Sequence, residues 1–314
     1  MALRASLPLT VTPPCICAVI VTYHTDTAHL QRLLGSLSEV DTLVVVDNGS
    51  PDVEEKQLIA HHPNLTIKKL GVNKGIAAAQ NEGVAIAASM NAEFVVFFDQ
   101  DSVPQPGMIG RLHAAYVRLV GEGRRVACVG PRYVPARTGQ PVSFIRVGWL
   151  RLYPQPCPNA NTVIECDFLL SSGSLVPMSV LKSVGGMEEA LFIDLVDTEW
   201  CLRARSAGYG VFGSCGALLE HRLGEDMQRV WLGRWRSFAR HKPFRYYYIF
   251  RNALHLMRRG YVPLKCKVFF FKWLVALFVT FGMVAGRQQK ELGMMLRGIW
   301  HGLSGRMGKL DPHI

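Results

Sequence analysis

No glycine-rich phosphate cradle is written anywhere in this chain. There is no GxGxxG after an apolar run and no GxxxxGK[ST], so the two common ways of holding nucleotide phosphates on backbone amides are excluded. A nucleotide bound here would need a metal ion to meet its charge. Cysteine is present but unpatterned: eight residues at 15, 17, 128, 157, 166, 201, 215 and 266 make no CxxC pair. Neither a zinc site nor a disulfide framework is expected from them, and a reducing compartment is. No continuous apolar stretch precedes Pro13-Pro14, so no secretory leader is expected. Acid is nearly missing from one region. Residues 229–310 carry 17 Lys and Arg against Glu291 alone, whereas residues 1–228 have a net charge of −4 within a total of +11. A basic, aromatic tail of that kind points to an anionic partner, either nucleic acid or a membrane surface.

With 314 residues and 49% hydrophobic content the chain can bury a full core in one or two domains. Apolar β-rich runs at 16–22, 42–46, 65–70, 95–98 and 125–129 alternate with helix-compatible stretches at 27–37, 51–61, 75–90 and 106–120. Alternation of this sort predicts an α/β fold with a mostly parallel sheet, whose ligands bind at the carboxyl ends of the strands. Acids stand at those ends. Asp47 closes the second run in DNGS, and Asp99 and Asp101 close the fourth in FFDQDS. In a strand, residues two apart face the same way, so Asp99 and Asp101 can aim at one cation. The same aspartates also fit a solvated turn. Residues 131–175 are richer in Pro and polar turns, with β-like stretches at 142–150 and 162–170, and read as an inserted sheet or flap. Asp194, Asp197 and Glu199 then gather at the start of a helix, where acids also suit the helix dipole. Short strands at 211–212 and 217–220 lead to His221.

Taken together, AVIVTYH (18–24), VVVDNGS (44–50), NKGIAAAQNEG (73–83), FFDQDS (97–102), SSGSLVP (171–177), FIDLVDTEWCLRA (192–204) and LLEHRLG (218–224) resemble the inverting nucleotide-sugar glycosyltransferases of family 2, with a GT-A (Rossmann-like) fold. The DQDS and FIDLVDTEW forms look like the rhamnosyltransferase subgroup, which includes O-antigen and rhamnolipid enzymes using dTDP-L-rhamnose. The resemblance implies transfer of L-rhamnose, or of another dTDP- or UDP-hexose, to a glycan or lipid-linked acceptor with Mg²⁺ or Mn²⁺ as cofactor. A non-catalytic sugar-nucleotide-binding membrane protein is the alternative. Residue by residue, it assigns Thr22 and Tyr23 to the nucleotide edge, Asp47 to the base, Gly75 to close approach of the backbone to the nucleotide, and Asp99 and Gln100 to the sugar diphosphate. It assigns Asp101 and His221 to the metal and Asp197 to the general base. Val196 departs from the family's commoner acid at that place, so Asp194 or Glu199 could share the base role.

Residues 1–228 are thus expected to form the catalytic domain and 229–314 a basic helical extension. Within the latter, 268–286 holds about 13 uninterrupted apolar residues after Lys272, short of a span of about 18 to 20. Lys and Arg on both flanks fit a helix lying in lipid headgroups, and a buried helix packing on the core fits the same text. The expectation is a cytoplasmic protein, peripheral on the anionic inner face of the plasma membrane, with no nucleic acid bound.

Overall fold

The computed structural model describes residues 14–50, 58, 61–136, 138–149, 151–221, 226–231, 235–284 and 289–311. The helix expected at 51–61 falls largely outside the described residues. β1 (Ile16–Thr22) is buried along its whole length. Its sequence, ICAVIVT, is continuously apolar because both faces of the strand are covered. β2 (Thr42–Asp47) and β4 (Phe94–Asp99) flank β1 in parallel, and β3 (Leu65–Lys69) extends the sheet beyond β2. Between them run α1 (Thr27–Ser36), capped by the Asp26 carboxylate on Ala28 N–H, and the Ala-rich α2 (Ile76–Ser89).

The second half of the sheet is not parallel throughout. β5 (Ser102–Pro104), α3 (Met108–Gly121) and β6 (Val126–Pro135) follow the DQDS turn. A hairpin of β7 (Phe144–Val147) and β8 (Leu152–Gln155) with β9 (Val163–Cys166) forms the inserted portion. β10 (Leu175–Pro177) then enters antiparallel to both β4 and β6, followed by α4 (Met178–Val184), α5 (Val196–Ser206) and the twelve-residue β11 (Gly210–His221). The strand order is β3-β2-β1-β4-β10-β6-β11-β5, with β9 paired to β11. The two short strands expected at 211–212 and 217–220 are one strand whose register shifts between Gly213 and Leu218.

Alternating side chains build two cores. Cys17, Val19, Val44, Val46, Val95 and Phe97 face α2, α5 and the C-terminal helices, and Ala18, Ile20, Val45, Val96 and Phe98 face α1 and α3. Each such Val or Phe stabilises the fold by about 1.5–3 kcal/mol through burial. α2 approaches β1 so closely that a Cβ on Gly83 would lie 2.2 Å from Val19 Cγ1.

After the hairpin of β12 (Asp226–Trp231) and β13 (Trp235–Arg240) come α6 (Pro243–Met257), α7 (Leu264–Leu277), a π-helical turn (Phe278–Val284) and α8 (Gln289–Ser304). α6 packs on both α7 and α8. The apolar tail has a buried face and an exposed one. Phe270, Leu274, Leu277 and Phe281 are buried, while Phe271, Val275 and Val279 face out. Among the described residues no helix is long and apolar enough to cross a membrane.

One expectation is corrected. Cys157 and Cys215 form a disulfide, 58 residues apart in the chain. Antiparallel pairing of Ser214 with Val163, and the Cys215 N–H bond to the Thr162 carbonyl, bring the bulge of β11 against the segment preceding β9. Cysteine spacing carries no trace of that juxtaposition. The other six cysteines are free.

Candidate active site

Strand register gathers the acids. Thr22 pairs with Asp47 across β1 and β2, and Val21 pairs with Asp99 across β1 and β4, so all three residues reach one carboxyl edge. β5 turns back antiparallel to the end of β11 and pairs Ser102 with His221. The imidazole therefore sits beside the DQDS turn, with Nε2 3.6 Å from Asp99 Oδ2 and Nδ1 3.8 Å from Asp101 Oδ2. One ligand atom from each of Asp99, Asp101 and His221 lies within 4.8 Å of the others. Two hard carboxylate oxygens and one imidazole nitrogen are a donor set that fits Mg²⁺ or Mn²⁺, with coordination positions left for diphosphate oxygens and water. Asp99 belongs to this group as fully as Asp101, whereas the motif alone assigned the metal to Asp101 and His221.

The small-residue turn at 171–174 braces the acids. Ser172 Oγ accepts the Asp99 N–H at 3.1 Å and lies 2.8 Å from Ser102 Oγ, and its carbonyl accepts the Tyr133 hydroxyl at 2.5 Å. Burial raises the Asp101 carboxyl above its ordinary pKa, with the charge of Asp99 adding to the rise and His221 opposing it.

Across a cavity of about 530 Å³ from this cluster stands Asp197, in the first turn of α5. Burial, aided by the charge of Asp99, pushes its carboxyl up to about 6 against the opposing hydrogen bonds from the backbone amides of Thr198 and Ser171. A carboxylate with that pKa is deprotonated and basic at neutral pH. Asp194 also lines the cavity, but its carboxylate is paired with Arg245 at 2.5 Å. Glu199 is excluded as a base. It is fully buried on the other side of α5, held by Arg203 at 2.7 Å and the Tyr261 hydroxyl at 2.6 Å.

The residues assigned to the nucleotide are held by hydrogen bonds, among them Thr22 to Asp47 and Gln100 to Tyr23. Asp47, 1% exposed, accepts the Ser50 hydroxyl and amide at 2.5 and 2.9 Å and the Thr22 hydroxyl at 3.4 Å. Gln100 and the backbone of Tyr23 bond each other reciprocally, at 2.7 Å through Tyr23 N–H and 3.2 Å through its carbonyl. Gly75 has a structural reason of its own: at φ +92° and ψ 160° a Cβ there would lie 2.6 Å from the Phe192 carbonyl. Gly75→Ala is therefore expected to cost about 1–3 kcal/mol, read as a lowered Tm in thermal unfolding.

Sequence reasoning placed residues after 228 outside the catalytic unit. His241, Arg245, Ile249 and Trp273 line the same cavity as Asp197. The available signal was the four-residue spacing of Arg245 and Ile249, one turn apart on α6, with Trp273 added from α7. A second cavity of about 160 Å³ reaches Asp101 and His221 from α1, bordered by His29, Arg32 and Gln100.

Acids gathered at the carboxyl edge of an α/β sheet, with a carboxylate facing them across a cavity, are an arrangement that suits a glycosyltransferase with the GT-A fold. The chain belongs to glycosyl transferase family 2, whose sequence model matches residues 17–181. It is 31% identical over 295 residues to the dTDP-rhamnosyl transferase RfbF of Shigella flexneri, across 93% of this chain and 96% of that protein. It is 28% identical over 236 residues to the N-acetylglucosaminyl-diphospho-decaprenol L-rhamnosyltransferase of Mycobacterium tuberculosis, across 65% of this chain and 75% of that one. Among solved structures, S. aureus TarS 1–349 in complex with UDP-GlcNAc shares the fold with a TM-score of 0.58 at 16% identity, over 93% of this chain and 81% of that one. GalNAc-T7 with UDP, GalNAc and Mn²⁺ gives 0.55 at 12% identity, over 67% of this chain and 44% of that one.

Proposed function

We propose that this enzyme transfers L-rhamnose from dTDP-L-rhamnose to a hydroxyl of a glycan or lipid-linked acceptor, with inversion. The observation that carries the reading is Asp197, a carboxylate with its pKa raised to about 6, facing the Asp99–Asp101–His221 cluster across one cavity. The choice of rhamnose is supported by the relatives' names and by the DQDS form of the acid motif. Asp197 takes the proton of the acceptor hydroxyl as that oxygen forms its bond to the anomeric carbon, and the bond to the diphosphate oxygen on the opposite face breaks. Asp101 and His221, joined by Asp99, would hold Mg²⁺ or Mn²⁺, which would neutralise charge on the departing diphosphate. Asp47 accepts the imino N–H of thymine beside Thr22 and Tyr23, and Gln100 lies along the sugar diphosphate. The test is release of nucleoside diphosphate from a panel of dTDP- and UDP-sugars with Mg²⁺ or Mn²⁺ and a lipid-linked glycan. dTDP-L-rhamnose is expected to turn over at least tenfold faster than any UDP-hexose. Equal or faster use of a UDP-hexose would reassign the donor, and no turnover of any donor would leave only a binding protein.

The extension from 229 onward supplies the acceptor side of the cavity and a membrane-facing surface on the cytoplasmic leaflet. On α7 and the π-helical turn that continues it, Phe271, Val275 and Val279 are exposed at helical spacing, and on α8 so are Leu296, Trp300 and Leu303, with Trp300 at 66%. Lys272, Lys290 and Arg306 are also exposed on this region. Apolar rows edged by cations suit an anionic bilayer surface. Phe271→Glu with Trp300→Glu should abolish co-sedimentation with phosphatidylglycerol vesicles and leave turnover of a water-soluble acceptor unchanged. Undiminished sedimentation would remove the surface from the proposal.

A further inference from the structure

The segment entering α5 runs through backbone conformations that residues with side chains avoid. Phe192 has φ +64° and ψ −61°, and the Ile193 N–H closes on the Leu191 carbonyl at 2.7 Å, the rare positive-φ form of the γ-turn. Asp194 at φ +64° and Leu195 at φ +63° follow it in the left-handed region. Asp197 comes two residues later. Such a run persists only where the surroundings over-determine it.

Two adjacent side chains of α6 do so. Asn252, fully buried, directs its amide N–H groups at the carbonyls of Leu191 (3.0 Å), Ile193 (2.8 Å) and Asp194 (2.8 Å). Arg251, also fully buried, donates to the carbonyls of Leu191 (2.8 Å) and Ala190 (3.2 Å) and to that of Gly308. Its Nε bonds Asn252 Oδ1 at 2.9 Å, and its guanidinium lies 4.8 Å from the Tyr248 ring centre. From the other side, Ile76 N–H holds the Phe192 carbonyl at 2.8 Å, and the Phe192 ring stacks on Tyr248 at 5.2 Å. A γ-turn points its carbonyls away from any regular ladder, so each needs a donor once it is buried. Packing alone would favour apolar residues in this core, because a buried guanidinium is costly to desolvate. The fork of Arg251 and the amide of Asn252 match a set of inward carbonyls that no apolar pair could satisfy.

We propose that Arg251 and Asn252 are positioning residues for the transfer reaction: without touching substrate, they lock the 190–195 segment and thereby fix where Asp197 stands in the cavity. The inference rests on Asp197 being the base. Its test compares Asn252→Leu and Arg251→Lys with wild type for kcat, for donor KM, and for the affinity and site number of dTDP by calorimetry. The expected result is a 30- to 100-fold fall in kcat per dTDP site, with donor KM and dTDP affinity within threefold. The donor edge at Thr22 and Asp47 lies on other strands and is left intact. Should the Leu variant fail to fold, Asn252→Gln, which keeps the amide one methylene too far out, is read by the same split. A kcat per site within threefold of wild type, or a donor KM rising as far as kcat falls, overturns the proposal. Asp197→Asn run in parallel separates the two readings. An inactive Asp197→Asn enzyme beside fully active position-252 variants defeats the clamp alone, whereas an active Asp197→Asn enzyme defeats the base assignment.

Discussion

Asp197→Asn is expected to lower kcat by about 10²–10⁴-fold, the range a general base contributes, while dTDP affinity stays near wild type. The amide keeps the shape and the bond from Thr198 N–H but accepts no proton. pH provides an independent check. With the carboxyl raised to about 6, chiefly by burial, wild-type kcat/KM should fall tenfold per unit below about pH 6. The Asn variant should lack that limb. The stability consequence has the opposite sign to the usual aspartate. The folded pKa lies above the usual 3.8, so the folded state holds the proton more tightly than the unfolded chain. Stability from this group is complete at low pH and is lost as pH rises through about 6. The Asp197→Asn enzyme should therefore melt a few degrees higher than wild type at pH 8 and show no such gain at pH 4. If the variant retains more than a tenth of wild-type kcat, the base lies elsewhere, and Asp194, which shares the cavity, is the residue to test next.

Asp47, Asp99 and Asp101 were legible in the sequence because parallel strands with short loops bring every carboxyl end to one edge, and an abrupt stop of an apolar run marks that end. His221 was not legible from its own neighbourhood. It depends on a three-residue antiparallel pairing between β5 and β11, more than a hundred residues apart, and only the family resemblance pointed to it. The grouping of Asp194, Asp197 and Glu199 misjudged helix geometry. At 100° per residue, positions two apart lie on nearly opposite sides, so α5 turns Asp197 to the cavity and Glu199 to Arg203 and Tyr261.

That residues past 228 line the cavity was hidden from the sequence for a related reason. A charge surplus describes the exposed residues of a segment, and Arg251 and Asn252 are among the residues it hides. Read as composition, RYYYIFRN is a basic aromatic patch. As α6 it is a buried face carrying two polar groups whose partners lie about sixty residues upstream. Local periodicity finds the face of a helix, and only the packed structure says which carbonyls that face must satisfy.

Removing the divalent cation is expected to have an effect comparable to removing the base. Chelation with EDTA should lower turnover by about 10²–10³-fold, the scale of a lost electrostatic contribution to a developing oxyanion, and added Mn²⁺ or Mg²⁺ should restore it. The reason lies in the missing glycine-rich cradle: the sequence has neither common phosphate-binding glycine loop, and two aspartates would repel a departing diphosphate. Asp99 and Asp101 beside His221 make sense near a diphosphate only with a cation between them. Binding of Mn²⁺ to the protein, followed by its electron paramagnetic resonance, gives a readout free of activity. Asp101→Asn and His221→Ala should each weaken Mn²⁺ binding at least tenfold, and so should Asp99→Asn, because the three ligand atoms lie within 4.8 Å of one another. Metal binding displaces protons from its ligands, so Mn²⁺ affinity should fall as pH drops, starting at a higher pH than an ordinary aspartate would give because burial raises the Asp101 carboxyl. Full activity in EDTA, or Mn²⁺ affinity untouched by all three substitutions, would leave the acid cluster as a turn, with Asp99 and Asp101 only capping the end of β4.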